Sequence, residues 1–309
     1  MSDAGETRRA GRATLVESVV DGAVVVGVDG SAAAGHALRW AAEEALRRGT
    51  RLVLRHAMTL PEPGGSLTLP PEWYAGKRAS SSSLLESAAS IAAEFAPGVP
   101  VFAQSMDADP LTALLAGTAG AALIVVGPPE HGRLLGWFYG APVADLLAKV
   151  RCPVAVVRGR VRPDGPVVLG VDGSPAGETA IDAAFTAASL AGAELLAVHA
   201  CHDRETMLTG GGRFAQRKGW RLLGERLRPR AERHPVVAVE RMVVAERPRH
   251  CLVTLSHQAR LIVVGSRGRG GLSGLALGST GRTLSHHAGC PVLITPPGGG
   301  LPGVRSRLP

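Results

Sequence analysis

Between two short apolar runs, 261–264 and 292–295, lie the residues of this chain best suited to hold an anion. They are Gly265, Gly268, Gly278, Ser279 and Thr280, with Arg267 and Arg269 in the same loop. Glycine lets a backbone approach a ligand closely. Gly278, Ser279 and Thr280 open a helical segment, where unpaired N–H groups and the helix dipole favour negative charge. The two arginines can add charge-assisted contacts to phosphate oxygens, or else remain solvated loop residues. A polyphosphate is the guest such a loop suits. The competing reading is a glycine-rich connection with no ligand at all.

The elements that position these residues follow from periodicity. The order around the loop is strand, glycine loop, helix, strand, and each apolar run is short enough for a buried parallel strand. The same order fills the chain. The first half reads as strand 23–28, helix 33–48, strand 51–57, a Pro- and Gly-rich loop over 60–76, helix 77–95, strand 99–105, helix 111–118, strand 122–126, helix 143–150 and strand 154–158. The second half reads as strand 167–171, helix 178–191, strand 194–200, a basic helix 213–233, strand 236–244, helix 250–258 and then the loop region.

The chain is an internal duplication. GVDGS at 27–31 recurs at 170–174 and His56-Ala57 at His199-Ala200, both offset by 143; LIVVG at 123–127 recurs at 261–265 and CPV at 152 recurs at 290, both offset by 138. Alternating strands and helices predict an α/β fold: two tandem, open, five-stranded parallel sheets with helices on both faces. The expected division is an arm over 1–20, domains over 21–159 and 167–296, a linker over 160–166 and a tail over 297–309. Ligands sit at the carboxyl ends of strands in such sheets. Asp172 ends the first strand of its repeat and Gly265 the fourth, so they are expected to be neighbours in space.

The spacing Gly265-x2-Gly268-x9-Gly278-Ser279 resembles the nucleotide signature of the universal stress proteins that bind ATP. The resemblance spans 23–158 and 167–295. It implies ATP, with or without Mg2+, as ligand of the second repeat. Asp172 and Val171 would then meet the adenine edge and Ala200 would line the base pocket. Val264 and Gly265 would flank ribose and phosphates, and Gly268, Gly278, Ser279 and Thr280 would hold the phosphates. Asp172 has a second reading, since Asp-Gly-Ser also makes a turn and a helix cap.

The first repeat departs from the pattern. Gly127 is present, but Glu130 stands where the second glycine belongs, and Pro128 and Pro129 stiffen the loop. Gly140 is kept, Ala141 replaces the hydroxyl residue and Pro142 lacks an N–H donor. The segment 134–139 (LLGWFY) is bulky. The first repeat is expected to keep the fold and lose the ligand.

Composition bounds the rest. The 309 residues are 45% hydrophobic and 19% charged, which suits two globular domains. No apolar run reaches the roughly 18 to 20 residues of a membrane span, and the first twenty residues do not read as a signal peptide, so a cytosolic place is expected. Cys152, Cys201, Cys251 and Cys290 show no metal or disulfide spacing. The segment 210–260 carries 12 Lys/Arg against 4 Glu, which equals the chain's whole excess of +8. That is either a solvated helix face or a surface for an acidic protein; the absence of interleaved aromatics speaks against single-stranded nucleic acid. The two repeats are expected to pair through their last strands as a pseudo-dimer; the sequence leaves open whether two chains then associate as a homodimer.

Three functions compete. The leading one is a tandem universal stress protein whose second repeat binds ATP and which acts in stress or dormancy signalling. An interaction protein independent of nucleotide is the second. The third is a hydrolysing or adenylyl-transferring enzyme, which would need a base or metal-binding carboxylate; 265–279 holds neither Asp nor Glu. No GxxxxGK[ST], no GxGxxG after the first strand and no GxSxG occurs, so no catalytic residue is assigned.

Overall fold

The computed structural model describes residues 19–60, 69–128, 142–174, 177–201, 212–268 and 276–298. Most of the arm, Glu130, the 134–139 segment, Gly140, Ala141, Arg269 and the tail beyond 298 lie outside the described residues. The chain forms two compact units, one running to Pro142 and the other beginning at Val143.

The first unit runs β1 (Val24–Gly27), α1 (Ala32–Arg48), β2 (Leu52–Ala57), α2 (Pro71–Phe95), β3 (Val101–Met106), α3 (Pro110–Leu115), a 3-10 turn (Thr118–Gly120) and β4 (Leu123–Val126). Its strands lie in the order β3-β2-β1-β4, all pairs parallel. Burial follows position. The central strands β1 and β4 are apolar and inaccessible, whereas the edge strand β3 exposes Phe102 and Ala103, as expected for a sheet covered on both faces.

The second unit holds α4 (Pro142–Lys149), β5 (Val154–Val156), β6 (Val167–Gly170), α5 (Glu178–Ala191), β7 (Leu195–Ala200), α6 (Gly212–Arg233), β8 (Val239–Val244), α7 (Pro248–Ser256), β9 (Leu261–Gly265), α8 (Ser279–His287) and β10 (Val292–Thr295). The order is β5-β10-β9-β6-β7-β8. Five strands pair in parallel. The exception is β5, the last strand of the first repeat, which pairs antiparallel with β10 through Val154↔Ile294 and Val156↔Val292. The two last strands thus meet as strand partners.

The α/β reading holds, and the boundaries moved where proline was misread. Helix α2 begins at Pro71, inside the stretch expected to be loop, because proline at the first helical position sacrifices an N–H that has no intrahelical partner. Helices α3 and α7 also start on proline, one and two residues earlier than expected. Strand β8 starts at Val239 instead of 236, leaving Val236 82% exposed in the turn before it.

Duplication is visible in detail. Gly49 and Gly192 both end a helix in the left-handed region, at φ 60 and 57, with their N–H groups returned to the last turn. One core position is not duplicated. Arg55, whose counterpart at offset 143 is Val198, is only 2% exposed. Its guanidinium donates to Ala113 O (2.9 Å) and Ala116 O (2.8 Å), closing the C-terminal end of α3. Burial pushes its pKa down to about 10, which leaves it charged at neutral pH.

Candidate nucleotide site of the second unit

At the carboxyl end of β6 the backbone is fixed before any ligand is considered. Val171 is buried; its N–H donates to Val198 O (2.9 Å) and its carbonyl accepts from His199 Nδ1 (2.7 Å). A carbonyl opposite Nδ1 requires that nitrogen to carry the proton. The half-buried His199 is therefore a structural clamp on the residue before Asp172. Helix α6 holds the ring from behind: a Cβ on Gly219 would lie 2.9 Å from His199 Cδ2 and 2.8 Å from Val243 Cγ1. Only a glycine lets the helix pack this closely.

Asp172 is half-buried and its two oxygens do different things. Oδ1 accepts from Ser174 N (2.9 Å) and Ser174 Oγ (2.8 Å), the turn expected from Asp-Gly-Ser. Oδ2 points at the loop after β9, where a Cβ on Gly268 would come within 2.8 Å of it. Residues 96 positions apart in sequence therefore touch, and Gly268 has room for hydrogen alone. The turn reading of Asp172 holds in the structure: one oxygen makes the Asp-Gly-Ser turn, and the other faces the glycine loop.

The loop itself is pinched at its base. Ser266 N donates to Thr295 O (2.8 Å), and Gly278 N donates to Ser266 O (2.8 Å). Gly278 is the N-cap of α8, in extended backbone at φ −72, ψ 168, and no side chain caps the helix. The first helical bond runs from Arg282 N to Gly278 O (3.0 Å). The first-turn N–H groups of Ser279 and Thr280 thus stand at a helix start with no acidic residue in its first turn and no side-chain cap among the described residues. Ser279 is exposed, Thr280 half-buried and Arg267 exposed. Val264 is buried beneath Gly265, and Ala200 is half-buried at the end of β7.

One residue escaped the sequence reading. Ser266 is 2% exposed, and its buried Oγ has no hydrogen-bond partner among the described residues. A hydroxyl next to the first glycine was the available signal, but serine is too common in loops to stand out. Two features thus fit a phosphate chain, an orphaned buried hydroxyl and a glycine loop beside a helix start, while the Asp172 carboxylate suits a base or ribose donor instead.

The first unit repeats the scaffold, and its loop over 129–141 lies outside the described residues. His56 Nδ1 donates to Val28 O (2.8 Å), and Asp29 Oδ1 accepts from Ser31 N (2.9 Å). Asp29, however, is exposed, and Ser31 Oγ caps α1 by accepting from Ala34 N (3.1 Å). Gly127, at the end of β4, abuts α1: its Cβ would lie 2.9 Å from the carbonyl carbon and oxygen of Ala33. In this unit the retained glycine serves close packing.

Burial pushes the Cys152 and Cys290 thiols up to about 12, which keeps them protonated and unreactive. Among the described residues, no group of three His, Cys, Asp or Glu could hold a metal ion. No described helix is long and apolar enough to cross a membrane.

Comparison with known proteins follows the duplication. The model of the universal stress protein family matches residues 22–158 and again 165–296. A universal stress protein of Mycobacterium tuberculosis H37Rv is 35% identical over 282 residues, covering 88% of this chain and 96% of that protein. One from Mycolicibacterium smegmatis is 32% identical over 301 residues, covering 92% and 100%. Among solved structures, a universal stress protein from Archaeoglobus fulgidus has a TM-score of 0.66 at 15% identity, covering 89% of this chain and 98% of that one. At that identity it speaks for the fold alone.

Proposed function

The chain belongs to the universal stress protein family, and we propose that its second repeat binds ATP while its first keeps the fold without a nucleotide. The observation that carries this reading is the approach of Asp172 Oδ2 to Gly268 beside the uncapped start of α8. In this reading, Gly268, Gly278, Ser279 and Thr280 hold the phosphates, Arg267 adds charge at the rim, and Val264 and Gly265 flank the ribose. Val171, Asp172 and Ala200 border the base. Val171 has its N–H committed to β7, so it meets a base through its side chain and carbonyl. With no acidic residue in 265–279, a Mg2+ ion would be carried by the nucleotide's own phosphates.

Nothing in this constellation supplies a general base or a nucleophile for rapid turnover. The protein would act by occupancy: bound ATP changes which conformation or partner is favoured, as expected of a stress or dormancy signal. The test has two arms. Purified protein is denatured and its released nucleotide identified, then stripped protein is titrated with ATP. Wild type should bind and Gly278→Glu should not, because the new carboxylate would occupy the helix start. In cells lacking the gene, wild type should restore recovery from growth arrest and Gly278→Glu should fail. Equal ATP binding by the two proteins would remove the site assignment, and equal complementation would remove the signalling role.

A further inference from the structure

Three of the eight basic residues of α6 are already engaged within its own unit. Arg226 Nη1 meets Glu178 Oε1 at 2.6 Å, and Arg230 bridges Glu178 (2.7 Å) and Asp182 (2.9 Å) on α5. Arg233 adds a longer contact to Asp182 at 3.4 Å. These three cations bind α6 to its own unit. The other face of α6 is different: Arg213, Arg217, Lys218, Arg221 and Arg228 are all exposed. Among the described residues, Arg221 and Arg228 make i,i+4 pairs with the exposed Glu225 and Glu232, at 2.7 and 3.9 Å. Exposed pairs of this kind are weak and readily exchanged for a better partner.

The outward face has an order. At 3.6 residues per turn, Arg213, Arg217 and Arg221 form one ridge stepping about 6 Å along the axis. Trp220 flanks the ridge on one side and Phe214 on the other, 42% and 75% exposed. The guanidinium of Arg241, from the edge strand β8, reaches the same surface beside Gly224, 3.5 Å from where a Cβ would stand there. Arginine and large aromatics on one patch form the composition of a protein-binding hot spot. Stacking of successive bases needs aromatics in sequence along a strand, and here the ridge separates them. Insertion into a lipid surface needs a continuous apolar face, which the ridge also interrupts.

We propose that the outer face of α6 docks an acidic helix of a partner protein, with carboxylates at i, i+4 and i+8 and apolar residues on either side. Such a helix repeats its charges at the same 6 Å step as Arg213, Arg217 and Arg221, and its apolar flanks cover Phe214 and Trp220. The surface lies on α6 alone with Arg241, so docking does not depend on the nucleotide site.

The test is fluorescence anisotropy on the full chain without nucleotide. The probe is a labelled helical peptide with Glu at i, i+4 and i+8 and Leu on both flanks. Competitors are a peptide of the same composition with the Glu spacing scrambled, a single-stranded oligonucleotide, and vesicles containing phosphatidylserine. The ordered peptide should bind with an affinity that falls as salt rises. Binding should weaken at least about tenfold in the Arg217→Glu/Arg221→Glu double variant, and several-fold in Phe214→Ser, with thermal melting unchanged. Absence of binding, equal binding of the scrambled peptide, or stronger competition by the oligonucleotide or the vesicles would each overturn the proposal.

Discussion

The glycine at the end of the fourth strand is the same residue in both repeats, Gly127 and Gly265. Gly127 lies against the first turn of α1, where a side chain would strike the Ala33 backbone. Gly265 opens a loop whose next glycine, Gly268, is pressed against Asp172 Oδ2. Around both, the scaffold is copied closely: His56 holds Val28 as His199 holds Val171, at 2.8 and 2.7 Å. The duplicated sequence thus keeps the histidine clamp and the Asp-Gly-Ser turn in both units. For the second repeat alone to bind ATP, as proposed, this shared frame by itself must not be enough to hold a nucleotide.

Four interventions would sharpen or break that comparison. The largest effect is expected from Gly268→Asp, which sets a second carboxylate against Asp172 and should abolish ATP binding in a titration. Gly127→Ala should leave ATP binding intact and lower stability by about 1–3 kcal/mol, read from denaturant unfolding, because the Cβ meets fixed backbone. ATP binding lost in Gly127→Ala would mean the first repeat is more than a frame.

Replacing the histidine clamps should give an intermediate result. His56→Ala and His199→Ala each strand a backbone carbonyl and should cost about 1–3 kcal/mol of stability in denaturant melts. Only His199→Ala should also weaken ATP, through the loosened Val171-Asp172 segment. Equal effects on ATP from both would contradict the asymmetry.

The smallest effect concerns pH. Burial alone would raise the Asp182 pKa, but the Arg230 hydrogen bond and the charges of Arg230 and Arg233 outweigh it and hold the carboxyl below its ordinary value. Asp182 therefore contributes stability that is complete above the ordinary aspartate pKa of about 3.9 and is lost as pH falls through the lowered folded value. Amide exchange of α6, corrected for intrinsic rates, should accelerate below pH 4 in wild type. In Asp182→Asn it should already be faster at pH 6 and change less on acidification.

Much of the frame was legible because it rests on patterns that local chemistry enforces. The four offset repeats gave the duplication, the apolar runs gave the strands, and Gly278 marked the start of α8. What stayed hidden depends on tertiary proximity. Helix α2 began six residues early because proline marks a helix start as well as a loop. The inward half of the basic helix could not be separated from its outer half until Glu178 and Asp182 were placed beside Arg226 and Arg230. Arg55 read as a strand residue, and only the α3 carbonyls explain its burial. Ser266 and Gly219 do not stand out by type, and each acquires meaning only from its surroundings in space: a buried hydroxyl without a partner, and a helix pressed on His199 and Val243.

The most direct test of the central claim is the number of ATP molecules bound per chain, measured by calorimetry on nucleotide-free protein with Mg2+ present. The asymmetry between the repeats predicts one, lost in Gly278→Glu. Two per chain would show that the first repeat kept a working site, and none at millimolar ATP would contradict the nucleotide assignment itself.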